Sequence, residues 1–166
     1  MNKLLFAMLL LLPAFPAQAA GVGGLFNQGS THFSLLVGNG YAFNNNYLVI
    51  GAGASYYVLD GLGVGLSFEN WSGGSPGIRK ISPSVEYVFY RAQTVQPYVG
   101  GFYRHAIVSG LPGINSVGVR GGVYFASGSS SAIGVGMAYE SYRNCQATIY
   151  STCSDTYPEI SFTFAF

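Results

Sequence analysis

The chain has 166 residues and a formal net charge of +1; only 8% of its residues are charged, whereas 49% are hydrophobic and 16% aromatic. An ordinary soluble domain carries about 25% charged residues, so this composition excludes a normally wetted globular surface. Disorder is excluded by the apolar, aromatic character, and with no basic run nothing favours nucleic acid.

The first segment reads as an export signal. Lys3 is positive, Leu4 to Leu12 is an unbroken apolar run, Pro13 ends it, and Ala17-Gln18-Ala19 has the small-x-small pattern of a signal-peptidase site. Cleavage is expected after Ala19, dividing the chain into a signal peptide (1–19) and one domain (20–166). The apolar run would span about 14 Å as a helix, too short for a hydrocarbon core of about 30 Å. After Ala20 no apolar stretch is long enough for a membrane helix. Export, little charge and no spanning helix point to a membrane β-barrel, in which short alternating strands cross the lipid and every backbone group finds a partner.

Period-two alternation supports this. Leu62, Val64, Leu66 and Phe68 alternate with Gly61, Gly63, Gly65, Ser67 and Glu69. Ile81, Pro83, Val85 and Tyr87 alternate with Lys80, Ser82, Ser84 and Glu86, and Val117, Val119, Val123 and Phe125 with Gly118, Arg120, Gly122 and Tyr124. Ile133, Val135, Met137 and Tyr139 oppose Ala132, Gly134, Gly136, Ala138 and Glu140, and Ile160, Phe162, Phe164 and Phe166 oppose Glu159, Ser161, Thr163 and Ala165. Eight strands are predicted, at roughly 31–38, 47–58, 61–70, 79–90, 96–105, 116–125, 131–142 and 156–166. In the fifth, the face of Arg104 is taken as inward, which sends Val99 and Tyr103 outward. The fold class is therefore an all-β, antiparallel up-and-down transmembrane barrel.

Short turns at Leu59-Asp60-Gly61, Arg91–Thr94 and Ala126–Ser130 alternate with longer loops at Asn39–Asn46, Trp71–Ile78, Ala106–Asn115 and Arg143–Asp155. Short turns belong on the periplasmic side and long loops outside. The stretch Gly21–Ser30 is read as a leader into the first strand. Tyr56, Tyr87, Phe89, Phe125, Phe164 and Phe166 are expected in one outward aromatic band, and Phe68, Trp71, Tyr103 and Tyr139 in the other.

The closing run Ile160-Ser161-Phe162-Thr163-Phe164-Ala165-Phe166 resembles the C-terminal signature of bacterial outer-membrane barrels. The stretch Pro97-Tyr98-Val99-Gly100-Gly101 also looks like strand text common in the small eight-stranded barrels of the OmpA transmembrane-domain and OmpX type. The resemblance implies Gram-negative outer-membrane localisation and contact with outer-membrane lipids and lipopolysaccharide. It also implies reading of Phe162, Phe164 and Phe166 by the barrel assembly machinery. No peptidoglycan-binding domain is expected after the last strand.

A ring of this size is just wide enough for its own side chains to fill it. Glu69, Lys80, Glu86, Arg104, Arg120, Glu140 and Glu159 should point inward and form a salt-bridge network that plugs the lumen, mostly in its outer half, with Arg120 and Glu86 deeper. The inward glycines Gly51, Gly53, Gly63, Gly65, Gly134 and Gly136 are read as making room for rings such as Tyr98, Phe102 and Tyr124. Cys145 and Cys153, in an exported chain, are expected to form one disulfide, and neither a metal site nor another cofactor is expected.

His32-Phe33-Ser34 has the His-x-Ser spacing of barrel-type lipid A deacylases. Parity turns both polar residues inward, at the periplasmic start of the first strand, with no carboxylate beside them, so no enzyme is expected. Two functions stay open. One is a structural barrel whose Tyr-, Asn-, Gly- and Ser-rich loops bind a surface ligand. The other is a narrow, porin-like channel or small-molecule transporter.

Overall fold

The computed structural model describes residues 24–91, 95–143, 145 and 153–166. The predicted signal segment lies outside the described residues, as does part of the turn at 91–94. Eight strands follow one another: β1 (Thr31–Ala42), β2 (Asn45–Leu59), β3 (Leu62–Ser72), β4 (Ile78–Val88), β5 (Val95–Val108), β6 (Ile114–Ala126), β7 (Ser131–Tyr142) and β8 (Ser154–Ala165). Each pairs antiparallel with its neighbours in sequence, and β1 pairs with β8, so the sheet closes into a barrel. Among the described residues no helix is long and apolar enough to cross a membrane.

The alternation sets the two faces. Leu66, Phe68 and Val119 are 54%, 51% and 58% exposed, whereas Glu69, Arg104 and Glu140 are 7%, 2% and 1% exposed. Apolar side chains thus cover most of the outside and these three charges are enclosed, the reverse of a water-soluble barrel.

One end of the barrel carries tight connections; we call it the turn end. Gly61, at φ 76°, lies between β2 and β3, a backbone conformation that glycine adopts without a Cβ penalty. The opposite, loop end departs from expectation at the first connection. The predicted loop Asn39–Asn46 is almost wholly strand, because β1 and β2 continue to a two-residue turn at Phe43-Asn44. Both turn residues have positive φ (48° and 63°), the combination whose twist matches a hairpin. The connections at 73–77 and 109–113 are likewise shorter than predicted, since the flanking strands extend past the expected rim.

The β1–β8 closure is paired only from His32↔Ala165 to Leu36↔Ser161, at the turn end. Phe166 donates its backbone N–H to the Thr31 carbonyl, so alternation points the even-numbered N–H groups of β8 at β1. Pro158 stands on that row beyond the paired stretch and has no N–H to give.

From Gly24 onward the leader is part of the fold, contrary to the reading of Gly21–Ser30 as a mere approach. Phe26 is fully buried against the rings of His32, Tyr57 and Tyr124, with centroids 5.1, 5.5 and 5.0 Å away. Gly61 donates its N–H to the Phe26 carbonyl, and Gly29 donates to Tyr57. Leu25, Phe26, Tyr57, Val88, Tyr98, Tyr124 and Ala132 form one apolar cluster at this end. Replacing Phe26 by Ala would remove its central ring, and is expected to lower unfolding stability by about 3 kcal/mol. Urea unfolding of vesicle-inserted protein checks this; an unchanged midpoint would show that the ring closes nothing.

Candidate functional site

The lumen is where the charge of the barrel collects, and Arg104 on β5 is its hub. Its Nη2 donates to Glu69 Oε1 of β3 at 2.9 Å, and its Nη1 donates to Glu140 Oε2 of β7 at 2.7 Å. Nη1 also reaches the Tyr157 hydroxyl at 2.7 Å, and Nε donates to Ser82 Oγ at 2.9 Å. Tyr157 and Ser116 each donate a hydroxyl to Glu140. One guanidinium therefore ties five strands, β3, β4, β5, β7 and β8, across the bore. A planar fork with fixed donors suits this task better than an ammonium group.

Lys80 makes no ion pair among the described residues. Its Nζ instead lies 3.9 Å from the centroid of the Trp71 ring, whose indole N–H donates to Glu69 Oε2 at 3.1 Å. Trp71 therefore does not belong to the outward aromatic band expected of it. Parity turns it inward with Glu69, and its ring rests over Gly40 and 5.8 Å from Tyr47. Tyr47, Ile78, Ala106 and Val108 form a second apolar cluster at this end, with Trp71 packed against it. Tyr47 donates its hydroxyl to the Pro76 carbonyl, and the Asn45 amide donates to Ser75, so the β1–β2 hairpin is fastened to the 73–77 connection.

The seven predicted interior charges do face inward, but they form two groups rather than one continuous network. Nearer the turn end, Glu86 accepts hydroxyls from Tyr57 and Tyr124 at 3.2 Å. Arg120 Nε is 3.8 Å from Glu159 Oε2, an ion pair without a hydrogen bond. Phe102 separates the groups and is gripped by both, with the guanidinium carbons of Arg104 and Arg120 at 4.7 and 4.8 Å from its ring centre. Such cation–π contacts are strongest where water is excluded.

Glycine supplies the room. A side chain at Gly118 would collide with the Phe102 ring, and one at Gly122 or Gly136 with the Tyr98 hydroxyl. Gly134 faces Tyr124 and Gly63 faces Tyr57, whereas Gly51, Gly53 and Gly65 sit against Glu69 and serines. Around Arg120, Glu86 and Glu159 the lumen holds a cavity of about 100 Å³, bordered by Ser34, Ser55, Ser84 and Ser161. It has room for several waters.

His32 and Ser34 both face this lumen. His32 Nε2 lies 2.7 Å from the Leu25 carbonyl oxygen, so that nitrogen carries the proton and donates it. Phe162 and Phe164 face outward on β8, beside Leu35 and Phe33 of β1, and Phe166, just past the strand, is exposed. Cys145 and Cys153 are disulfide-bonded, with Cα atoms 5.6 Å apart. The cavity, the role of Trp71 and the buried leader are all absent from the sequence reading; the inward parity of Trp71, two residues after Glu69, was the one available signal.

No family model matches the chain, and no curated protein matches it in sequence. Solved structures do match in shape. The N-terminal β-barrel domain of Pseudomonas aeruginosa OprF has a TM-score of 0.68 at 12% identity, over 84% of this chain and 98% of that one. Neisserial surface protein A gives 0.55 at 16% identity, over 82% and 94%. The Yersinia pestis outer membrane protein Ail gives 0.54 at 15% identity, over 84% and 100%. The chain thus has the closed eight-stranded architecture of the small outer-membrane barrels.

Proposed function

We propose that this chain is an integral outer-membrane barrel of a Gram-negative cell, exported through residues 1–19, with its loop end outside the cell. Its filled bore makes it a rigid pedestal, and the function resides in the surface segments it holds up for a partner. The observation that carries this reading is Arg104, which bridges Glu69 and Glu140 across the lumen. An eight-stranded ring has little width to spare, and here that width is taken by a guanidinium, two carboxylates and the Phe102 ring. Fixing the hairpin at Phe43-Asn44 to the 73–77 connection gives the outer surface a defined shape. No catalytic role is assigned, since His32 spends its proton on Leu25 and the interior carboxylates are engaged by Arg, Tyr and Ser partners. Phe162, Phe164 and Phe166 fit the terminal signal read by the assembly machinery.

The second reading, a narrow channel, has the polar cavity around Arg120 in its favour. Single-channel recording on refolded protein in a planar bilayer decides between them. The pedestal reading expects no discrete conductance steps; reproducible steps from the unaltered protein would overturn it.

The Arg104 cluster also has a stability consequence. Arg104→Met leaves two carboxylates enclosed without their cation, which costs about 3–5 kcal/mol in buried pairs. Chemical unfolding in vesicles should show that loss, whereas Arg79→Gln, on the exposed face, should leave the midpoint unchanged.

A further inference from the structure

The interior charges do not balance group by group. Nearer the loop end, Arg104 and Lys80 stand with Glu69 and Glu140, two charges of each sign. Nearer the turn end, Arg120 is the one cation beside Glu86 and Glu159, which leaves a negative charge in surplus. All three border the cavity of about 100 Å³. An uncompensated charge inside a barrel is costly, so this cavity favours a cation.

Hydrogen bonding is unfinished in the same place. Glu159 is 8% exposed, and among the described residues its carboxylate accepts no hydrogen bond; Arg120 faces it across 3.8 Å. The Arg120 Nε is itself buried without an acceptor. The hydroxyls of Ser34, Ser55, Ser84 and Ser161, on the cavity wall, bond to no described group either. Because His32 Nε2 donates to Leu25, its Nδ1 is an acceptor. Tyr98 and Tyr124, with ring centroids 4.6 Å apart, give the wall an aromatic part.

These groups suit an organic cation better than a metal ion. Among the described residues no three His, Cys, Asp or Glu side chains converge as metal ligands. The volume suits about three or four non-hydrogen atoms, at the roughly 30 Å³ that a water takes in the liquid. Aromatic faces also attract a cation that sheds its water. The cavity wall is interrupted on one side. The pairing of β1 with β8 ends at Leu36↔Ser161, and both residues border the cavity. One inward step further along β1, a side chain at Gly38 would meet no described atom within 4 Å.

We infer that the cavity is a binding site for a small hydroxylated ammonium ion, which enters along the unpaired part of the seam. Its N–H groups donate to Glu159 and the serine oxygens, its hydroxyl accepts from Arg120 Nε, and its carbons lie against Tyr98 and Tyr124. The ammonium charge cancels the surplus, and the hydroxyl answers the buried donor. The site depends on the interior of the barrel and not on the role of the loops.

Saturation-transfer NMR on the unaltered protein, refolded in phosphatidylcholine nanodiscs, tests it with ethanolamine, ethylamine, tetramethylammonium and acetate as probes. We expect transfer to ethanolamine and about tenfold weaker binding of ethylamine, which lacks the acceptor. Tetramethylammonium, with no N–H, and acetate should show no transfer. Glu159→Gln should weaken ethanolamine binding about tenfold, whereas Arg79→Gln, on the exposed face, should leave it unchanged. Equal transfer to all three cations would overturn the site by reducing it to general attraction of positive charge. Undiminished binding by a folded Glu159→Gln would overturn it too. So would an absence of transfer to either amine, since a proton on Glu86 or Glu159 would then balance the charge. The ranking of the probes is read on the unaltered protein, so it decides the matter even where Glu159→Gln fails to fold.

Discussion

The structure is governed by the bore of an eight-stranded ring. Its circumference admits one layer of side chains, and each inward position must share that space with positions on other strands. Phe102 fits because Gly118 stands beside it, and Tyr98 because Gly122 and Gly136 do. Where charge enters the same space, it must be satisfied there. Arg104 meets that demand with two carboxylates and two hydroxyls, and Glu86 with two phenols. Polar groups so enclosed are tolerated only when hydrogen-bonded or paired.

Along its axis the interior is layered. At the turn end Phe26 and Tyr57 make an apolar floor; above it lie the serine-lined cavity and the Arg120–Glu159 pair. Phe102 then separates this from the Arg104 cluster, and Tyr47, Ile78 and Val108 cover the top. The interior charges thus lie between an apolar cluster at each end.

Much of this was legible before any coordinates. Strand parity depends only on the period of the chain, so the inward positions of Glu69, Lys80, Glu86, Arg104, Arg120, Glu140 and Glu159 could be read directly. Their partners could not. That Arg104 meets Glu69 and Glu140 depends on the registers of β3, β4, β5, β6 and β7 together, and no local pattern encodes a sum of registers. For Trp71 two sequence signals conflict: rings favour the rim, whereas its parity with Glu69 turns it inward, and parity wins. The hairpin at Phe43-Asn44 was hidden by an Asn-rich run that reads as loop, although Asn also tolerates the left-handed conformation the turn requires. The buried leader leaves no such signal, since Leu25 and Phe26 belong to no alternating run.

The ring has one join between residues far apart in the chain, and it is fastened unevenly. From Leu36 down to His32 the first and last strands are laced together, while toward Pro158 the lacing stops. The join behaves like a zip closed from below. The seam is therefore open at its upper lip and held at its base, where Phe166 donates its backbone N–H to Thr31.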